Sequence, residues 1–205
     1  MRKLVLSLFA VAFMAATAAA GEFNKVVSVG DKAPVFSGIP ASTPDGQDAS
    51  LTLGDIKEDV VVVIFLANHC PVVLNTEDRI NDVVQAYEGK SVKLVGLCVE
   101  TNRASVDDLN AIKARAKKDK KYSYVYGYDE TQDIGKKYGA TNTPQVFVLD
   151  RDRVIRYMGL IDDNHNNESK VTKTYLKDAV DSLLAGKEIA VKETKPMGCG
   201  ISYGR

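Results

Sequence analysis

Two short segments of this 205-residue chain carry side chains suited to covalent chemistry. In the first, Asn68-His69-Cys70-Pro71 directly follows an apolar run, and Pro71 suits the first turn of a helix. A cysteine that opens a helix meets unpaired backbone N–H groups and the positive end of the helix dipole. Both favour the thiolate, the form that attacks sulfur or peroxide. His69, when protonated, could stabilise that thiolate further. In the second segment, Cys199 lies between Gly198 and Gly200 near the C-terminus. The third cysteine, Cys98, sits inside a strand-like apolar run and reads as a packed core thiol. An odd cysteine nevertheless leaves open a reactive thiol or an intermolecular bridge. Thr143-Pro144 precedes another apolar run and could be brought beside Cys70 by the fold.

The elements that must position these groups follow from periodicity. Residues 59–66 form a run of mostly β-branched apolar residues, the pattern of a strand buried on both faces, and it ends at the Cys70 segment. Ile80, Val83, Val84 and Tyr87 then recur at helical spacing. Residues 92–99 read as a second buried strand. Ser105 opens a helix with Asp107 and Asp108 in its first turn. Tyr122, Tyr124, Tyr126 and Tyr128 alternate as one face of a strand, and no basic groove accompanies them to suggest base stacking. A short helix over 131–138 closes at Gly139, with Asp129-Glu130 at its start. Residues 145–149 and 154–159 form a hairpin across Asp150-Arg151-Asp152, and 171–184 form a last amphipathic helix. Ala33-Pro34-Val35-Phe36 reads as a short strand entry and residues 39–50 as a loop. Strands alternating with helices predict an α/β fold: a mixed, mostly parallel central sheet flanked by helices, with an antiparallel edge hairpin. Working sites of such sheets lie at the carboxyl ends of strands, where Cys70 falls.

Composition narrows the function. The 27 basic and 27 acidic residues cancel, so no global field draws nucleic acid. Three cysteines are too few for a disulfide-dense scaffold or a four-thiolate zinc site. No G-x-G-x-x-G or P-loop pattern indicates a nucleotide, and no organic cofactor is expected. Arg2 and Lys3, an apolar stretch over 4–16 and Ala18-Ala19-Ala20 form a secretory signal pattern, with cleavage expected after Ala20. The expected order is a signal peptide over 1–20, a lead-in over 21–32, one domain over 33–186 and a tail over 187–205. The mature chain is expected in the periplasm or outside the cell, without stable membrane insertion, where disulfides persist.

The chain resembles the secreted redoxin, peroxiredoxin-related branch of the thioredoxin-like superfamily. The matching pieces are Ala33-Pro34-Val35-Phe36, Asn68-His69-Cys70-Pro71, Tyr128-Asp129-Glu130-Thr131-Gln132 and residues 138–144. Residues 156–164 and the terminal Gly198-Cys199-Gly200-Ile201-Ser202-Tyr203 extend the likeness over nearly the whole mature chain. The resemblance implies a thioredoxin-like fold and a cis Thr143-Pro144 bond facing the thiol site. It also exposes a departure. Family members place Cys-Asn-His-Cys-Pro where this chain has Ala67-Asn68-His69-Cys70-Pro71, so the usual dithiol is missing its first cysteine.

Four readings follow. In the first, Cys70 is the nucleophile of thiol–disulfide exchange and Cys199 the resolving thiol on a tail mobile enough to reach it, with His69, Thr143 and Pro144 completing the site. Its partners are protein or small-molecule thiols and disulfides. In the second, Cys70 reduces peroxide and a distant cysteine condenses with its sulfenic acid. Arg79 is then a candidate activator, although relatives commonly carry Thr where Ala67 stands. In the third, His69, Cys70, Cys199 and His165 hold a soft metal such as copper, although His165 reads as a solvated loop residue. In the fourth, the cysteines are structural and the fold is a binding module. Asp162-Asp163-Asn164, after the hairpin, reads as turn or capping chemistry.

Overall fold

The computed structural model describes residues 21–119 and 122–204; the signal pattern over 1–20 lies outside the described residues. A seven-stranded sheet forms the centre, in the order β2-β1-β5-β4-β3-β7-β8. Its strands are β1 (Ile39–Ser42), β2 (Asp48–Leu51), β3 (Val60–Leu66), β4 (Val92–Cys98), β5 (Val125–Tyr128), β7 (Gln145–Leu149) and β8 (Ile155–Gly159). A separate two-stranded sheet pairs β6 (Asn142–Thr143) with β9 (Cys199–Gly200). The helices are α1 (Pro71–Ala86), α2 (Ala104–Asp107), α3 (Leu109–Asp119), α4 (Asp133–Tyr138) and α5 (Tyr175–Leu184).

The mixed sheet and flanking helices are the expected thioredoxin-like α/β architecture, with less parallel pairing than the strand–helix alternation suggests. Among the described strands of this sheet, only β3–β4 and β4–β5 run parallel. β7 joins β3 antiparallel, and β8 follows it in the expected hairpin. The connection from β5 to β7 contains only the short α4 and the two-residue β6, so β7 enters from the opposite end of the sheet. Residues 39–50 are not a plain loop: β1 and β2 form a second hairpin around Asp45-Gly46, and β1 docks antiparallel on β5. Residues 33–36 are not a strand; the only ladder contact there is an isolated bridge from Lys32 to Val154.

Alternation along β3 sets the two cores. Val60, Val62, Ile64 and Leu66 point to the face covered by α1, α3 and α5, where Ile80, Ile112 and Leu176 pack. Val61, Val63 and Phe65 point to the other face, against Ile134 and Tyr138 of α4 and Phe36. All seven residues of β3 are buried, as a two-sided strand requires. Tyr122, Tyr124 and Tyr126 pack together with ring centroids 5.4 to 6.0 Å apart, but the strand begins only at Val125, so Tyr122 and Tyr124 belong to the bend that leads into it rather than to a strand over 122–128.

The tail is seated along much of its length. Ile189 is buried. Lys192 and Thr194 exchange backbone hydrogen bonds with Met158 of β8, and the Thr194 hydroxyl accepts from the Leu160 amide at 2.8 Å. The Glu193 carboxylate accepts the amides of Glu22, Phe23 and Asn24, which ties the lead-in to the tail. Among the described residues no helix is long and apolar enough to cross a membrane.

Candidate redox site

Cys70 stands at the carboxyl end of β3 as the N-cap residue of α1, with Pro71 at the first helical position. Its extended backbone (φ −75°, ψ 117°) leaves its carbonyl to accept the Leu74 amide, the first intrahelical bond. The side chain is fully buried, in one cluster with Ala67, Val73 and Cys98. Cys70 and Cys199 form a disulfide with Cα atoms 6.0 Å apart, across 129 residues of sequence.

The tail reaches Cys70 by β pairing. Cys199 stands opposite Thr143, and Gly200 opposite Asn142, in the β6–β9 ladder. The Asn142 side-chain amide donates to the Gly198 carbonyl, and the Ile201 amide donates to Thr141. Thr143-Pro144 is a cis bond, as the resemblance implies, and both residues are buried. The Thr143 carbonyl oxygen lies 3.2 Å from Cys70 Sγ. Gly198 adopts φ +131°, and a side chain there would overlap the Thr143 carbonyl, so glycine is needed for this close approach. Beyond Cys199, the Tyr203 hydroxyl donates to the Ala140 carbonyl. The Gln132 side-chain amide donates to the Ser202 carbonyl and accepts the Gly204 amide. The expected mobile tail is thus a seated strand in the disulfide form.

Sequence reasoning did not assign Asp107 a role at the site. Its side chain is fully buried and accepts both the His69 backbone amide (3.3 Å) and His69 Nδ1 (2.5 Å). The two contacts fix the orientation of the ring, with Nδ1 turned to the carboxylate and Nε2 turned away from it. Asn68 is held by its own bonds: its amide donates to the Val106 carbonyl, and its oxygen accepts from Arg115. Arg115 in turn pairs with the buried Glu77 at 2.7 Å. The Asp107-Asp108 pair had been legible only as helix-start charge. Asp108 does that work by accepting the Ala111 amide, while Asp107 turns inward to the histidine.

The other candidates are placed elsewhere. Arg79 lies nine residues after Cys70, about 13 Å along the helix axis. Its guanidinium is engaged by the Asp162 carboxylate (2.5 Å) and the carbonyls of Asn164 and His165. Asp162 is therefore an ion-pair partner as well as a turn residue. Asp129 accepts the Ile134 and Gly135 amides at the start of α4, the helix-start role expected of it. Cys98 is a free, buried core thiol, and burial pushes its pKa far upward, against thiolate chemistry. Among the described residues no three His, Cys, Asp or Glu side chains cluster as a metal site.

The Redoxin family model matches residues 28–176. The chain belongs to the Redoxin family. Two solved structures resemble this redoxin over most of its length. A hypothetical protein of Sinorhizobium meliloti 1021 is 28% identical with a TM-score of 0.77, over 88% of this chain and 97% of the other. An uncharacterized conserved protein from Geobacillus kaustophilus is 30% identical with a TM-score of 0.76, over 86% of this chain and 92% of the other. The reduced 2-Cys peroxiredoxin of Plasmodium vivax shares the fold, with 17% identity and a TM-score of 0.59 over 77% and 97% of the two chains. No curated protein sequence is similar enough to this redoxin to count as a match.

Proposed function

We propose that this redoxin is an exported thiol–disulfide oxidoreductase that exchanges electrons through the Cys70–Cys199 couple. The observation that carries the reading is the disulfide between a helix-capping cysteine and a tail strand laid against Thr143-Pro144. A reversible couple needs one sulfur whose thiolate is stabilised, and the N-terminus of the 16-residue α1 supplies that to Cys70. His69 precedes Cys70 in sequence and is held in place by Asp107. Asn142 and Thr143, next to the cis bond at Pro144, hold the tail strand that brings Cys199 to Cys70. Leu74, Val106 and Met197 are exposed apolar side chains on the three segments around the bond, which favours a polypeptide thiol or disulfide over peroxide as the substrate. The apolar surroundings of Cys70, the alanine at 67 and the engaged Arg79 give the peroxidase reading no comparable support.

The test is a redox titration of the exported, oxidised protein against glutathione buffers, with acid quenching and mass analysis of the thiols. A midpoint between about −270 and −120 mV, the range of disulfide-exchange catalysts, supports exchange. A midpoint below about −300 mV marks a structural bridge and overturns the reading.

A further inference from the structure

The exchange reading leaves open which sulfur meets the substrate, and the two sulfurs of the bond are not equivalent. Cys70 is fully buried among Ala67 and Val73, with its sulfur 3.2 Å from the Thr143 carbonyl oxygen. An attacking thiolate must approach a disulfide sulfur from the side opposite its partner, and at Cys70 that side is filled by the core. Cys199 is only partly buried. It lies in a two-residue strand paired on one edge only, between two exposed glycines, and nothing stands within 4 Å of where a Gly200 side chain would begin. Access and leaving-group quality both govern which sulfur is attacked, since the thiol of lower pKa leaves faster. The leaving thiolate at Cys70 would emerge at the N-terminus of α1, where backbone N–H groups and the helix dipole receive it.

We propose that Cys199 is the substrate-facing sulfur of this redoxin and Cys70 the buried partner that leaves and returns. This reverses the order expected from the sequence and rests on the exchange reading. The tail then supplies the outward-facing sulfur that the chain lacks at Ala67. In the first step a substrate thiolate, R–S⁻, attacks Cys199 Sγ. The S–S bond to Cys70 breaks, an R–S–S–Cys199 mixed disulfide forms, and Cys70 departs as a thiolate. In the second step another thiolate of the same substrate attacks the R sulfur. The substrate closes its own disulfide, Cys199 leaves as a thiolate, and two electrons have passed from substrate to protein. The reverse sequence reduces a substrate disulfide.

The test uses the oxidised wild-type protein and limiting glutathione. Samples are quenched in acid at successive short times, alkylated with N-ethylmaleimide and read by peptide mass analysis. The expected result is glutathione on Cys199 and maleimide on Cys70, exceeding the opposite pattern by about tenfold or more at the earliest times, as differential access predicts. Glutathione first on Cys70, with maleimide on Cys199, overturns this assignment while leaving exchange intact. A bond that glutathione opens only after the protein is unfolded overturns the exchange reading and this assignment with it.

Discussion

Replacing Gly198 with alanine tests whether the tail leaves its seat when the disulfide is reduced. Gly198 holds φ +131°, a conformation essentially confined to glycine, and an added Cβ would overlap the Thr143 carbonyl oxygen and stand 3.0 Å from its carbonyl carbon. Thr143 is buried and held in the β6–β9 ladder, so it cannot retreat without breaking that pairing. A residue forced into such a conformation costs about 1–3 kcal/mol, and the overlap places Gly198→Ala near the upper end, about 3 kcal/mol. If the penalty applies only while the tail is docked, and docking accompanies oxidation, the disulfide form is destabilised by that amount. At about 30 mV per 1.4 kcal/mol for a two-electron couple, the midpoint potential rises by about 60 mV. Gly200→Ala is the matched control, because nothing lies within 4 Å of a Cβ built there. The assay is the glutathione titration, run on the wild type and both variants. A Gly198→Ala shift below about 15 mV refutes the reasoning, because the penalty would then fall equally on both redox states and the reduced tail would still be docked.

Four further outcomes follow from the same geometry. Asp107→Ala strips the acceptor from the His69 amide and ring, and should cost about 2–3 kcal/mol in urea denaturation while slowing exchange; a loss under about 0.5 kcal/mol would contradict the dyad. Arg79→Ala leaves the buried Asp162 carboxylate unpaired and should cost about 3 kcal/mol of stability with exchange retained, whereas a collapse of peroxide reduction in a folded variant would revive the peroxidase reading. Tyr138 carries a buried hydroxyl without a hydrogen-bond partner among the described residues, so Tyr138→Phe should leave stability unchanged or raise it by up to about 1 kcal/mol, and a drop in thermal midpoint would show a hidden partner. Burial raises the Cys98 pKa above its ordinary 9.0, so the unfolded chain loses this proton first and stability should fall above about pH 9 by up to about 1.4 kcal/mol per pH unit; denaturation at stepped pH should show a flatter profile in Cys98→Ala.

The sequence carried the frame of the site because its signals there are local. The run over 59–66, Pro71 after Cys70, and the helical spacing of Ile80, Val83 and Val84 placed the cysteine at a strand end and a helix start. The hairpin of 145–149 with 154–159 was legible from the turn residues between them. What was hidden depends on chain path. The β1–β2 hairpin is short, and its strands carry polar residues and proline, so no alternation announced it. The antiparallel entry of β7 is set by the brevity of the 129–144 connection, which periodicity does not weigh. Asp107 looks like any first-turn acid; only the break between α2 and α3 turns it toward His69. The seated tail was hidden for the same reason: two glycines read as freedom, yet Gly198 serves a fixed close approach.

That seating changes the energetics of the couple. A disulfide across 129 residues would cost an unfolded chain about 5 kcal/mol of loop-closure entropy, against about 2 kcal/mol for a four-residue dithiol motif. In the folded protein this difference largely disappears. Thr194 is fixed to β8 and to Leu160, and Glu193 to the lead-in, so only Lys195 to Gly198 separate a fixed point from Cys199. Five residue steps reach at most about 17 Å, which confines Cys199 to the neighbourhood of Cys70 even when the bond is open. The fold, and the tail anchor in particular, therefore supplies the effective concentration that adjacent sequence supplies to a local dithiol. A couple built this way should be sensitive to changes at the anchor. Gly159 holds φ +137° directly against Thr194, so a side chain there would force the anchor off β8 and loosen the cysteine pair from a distance.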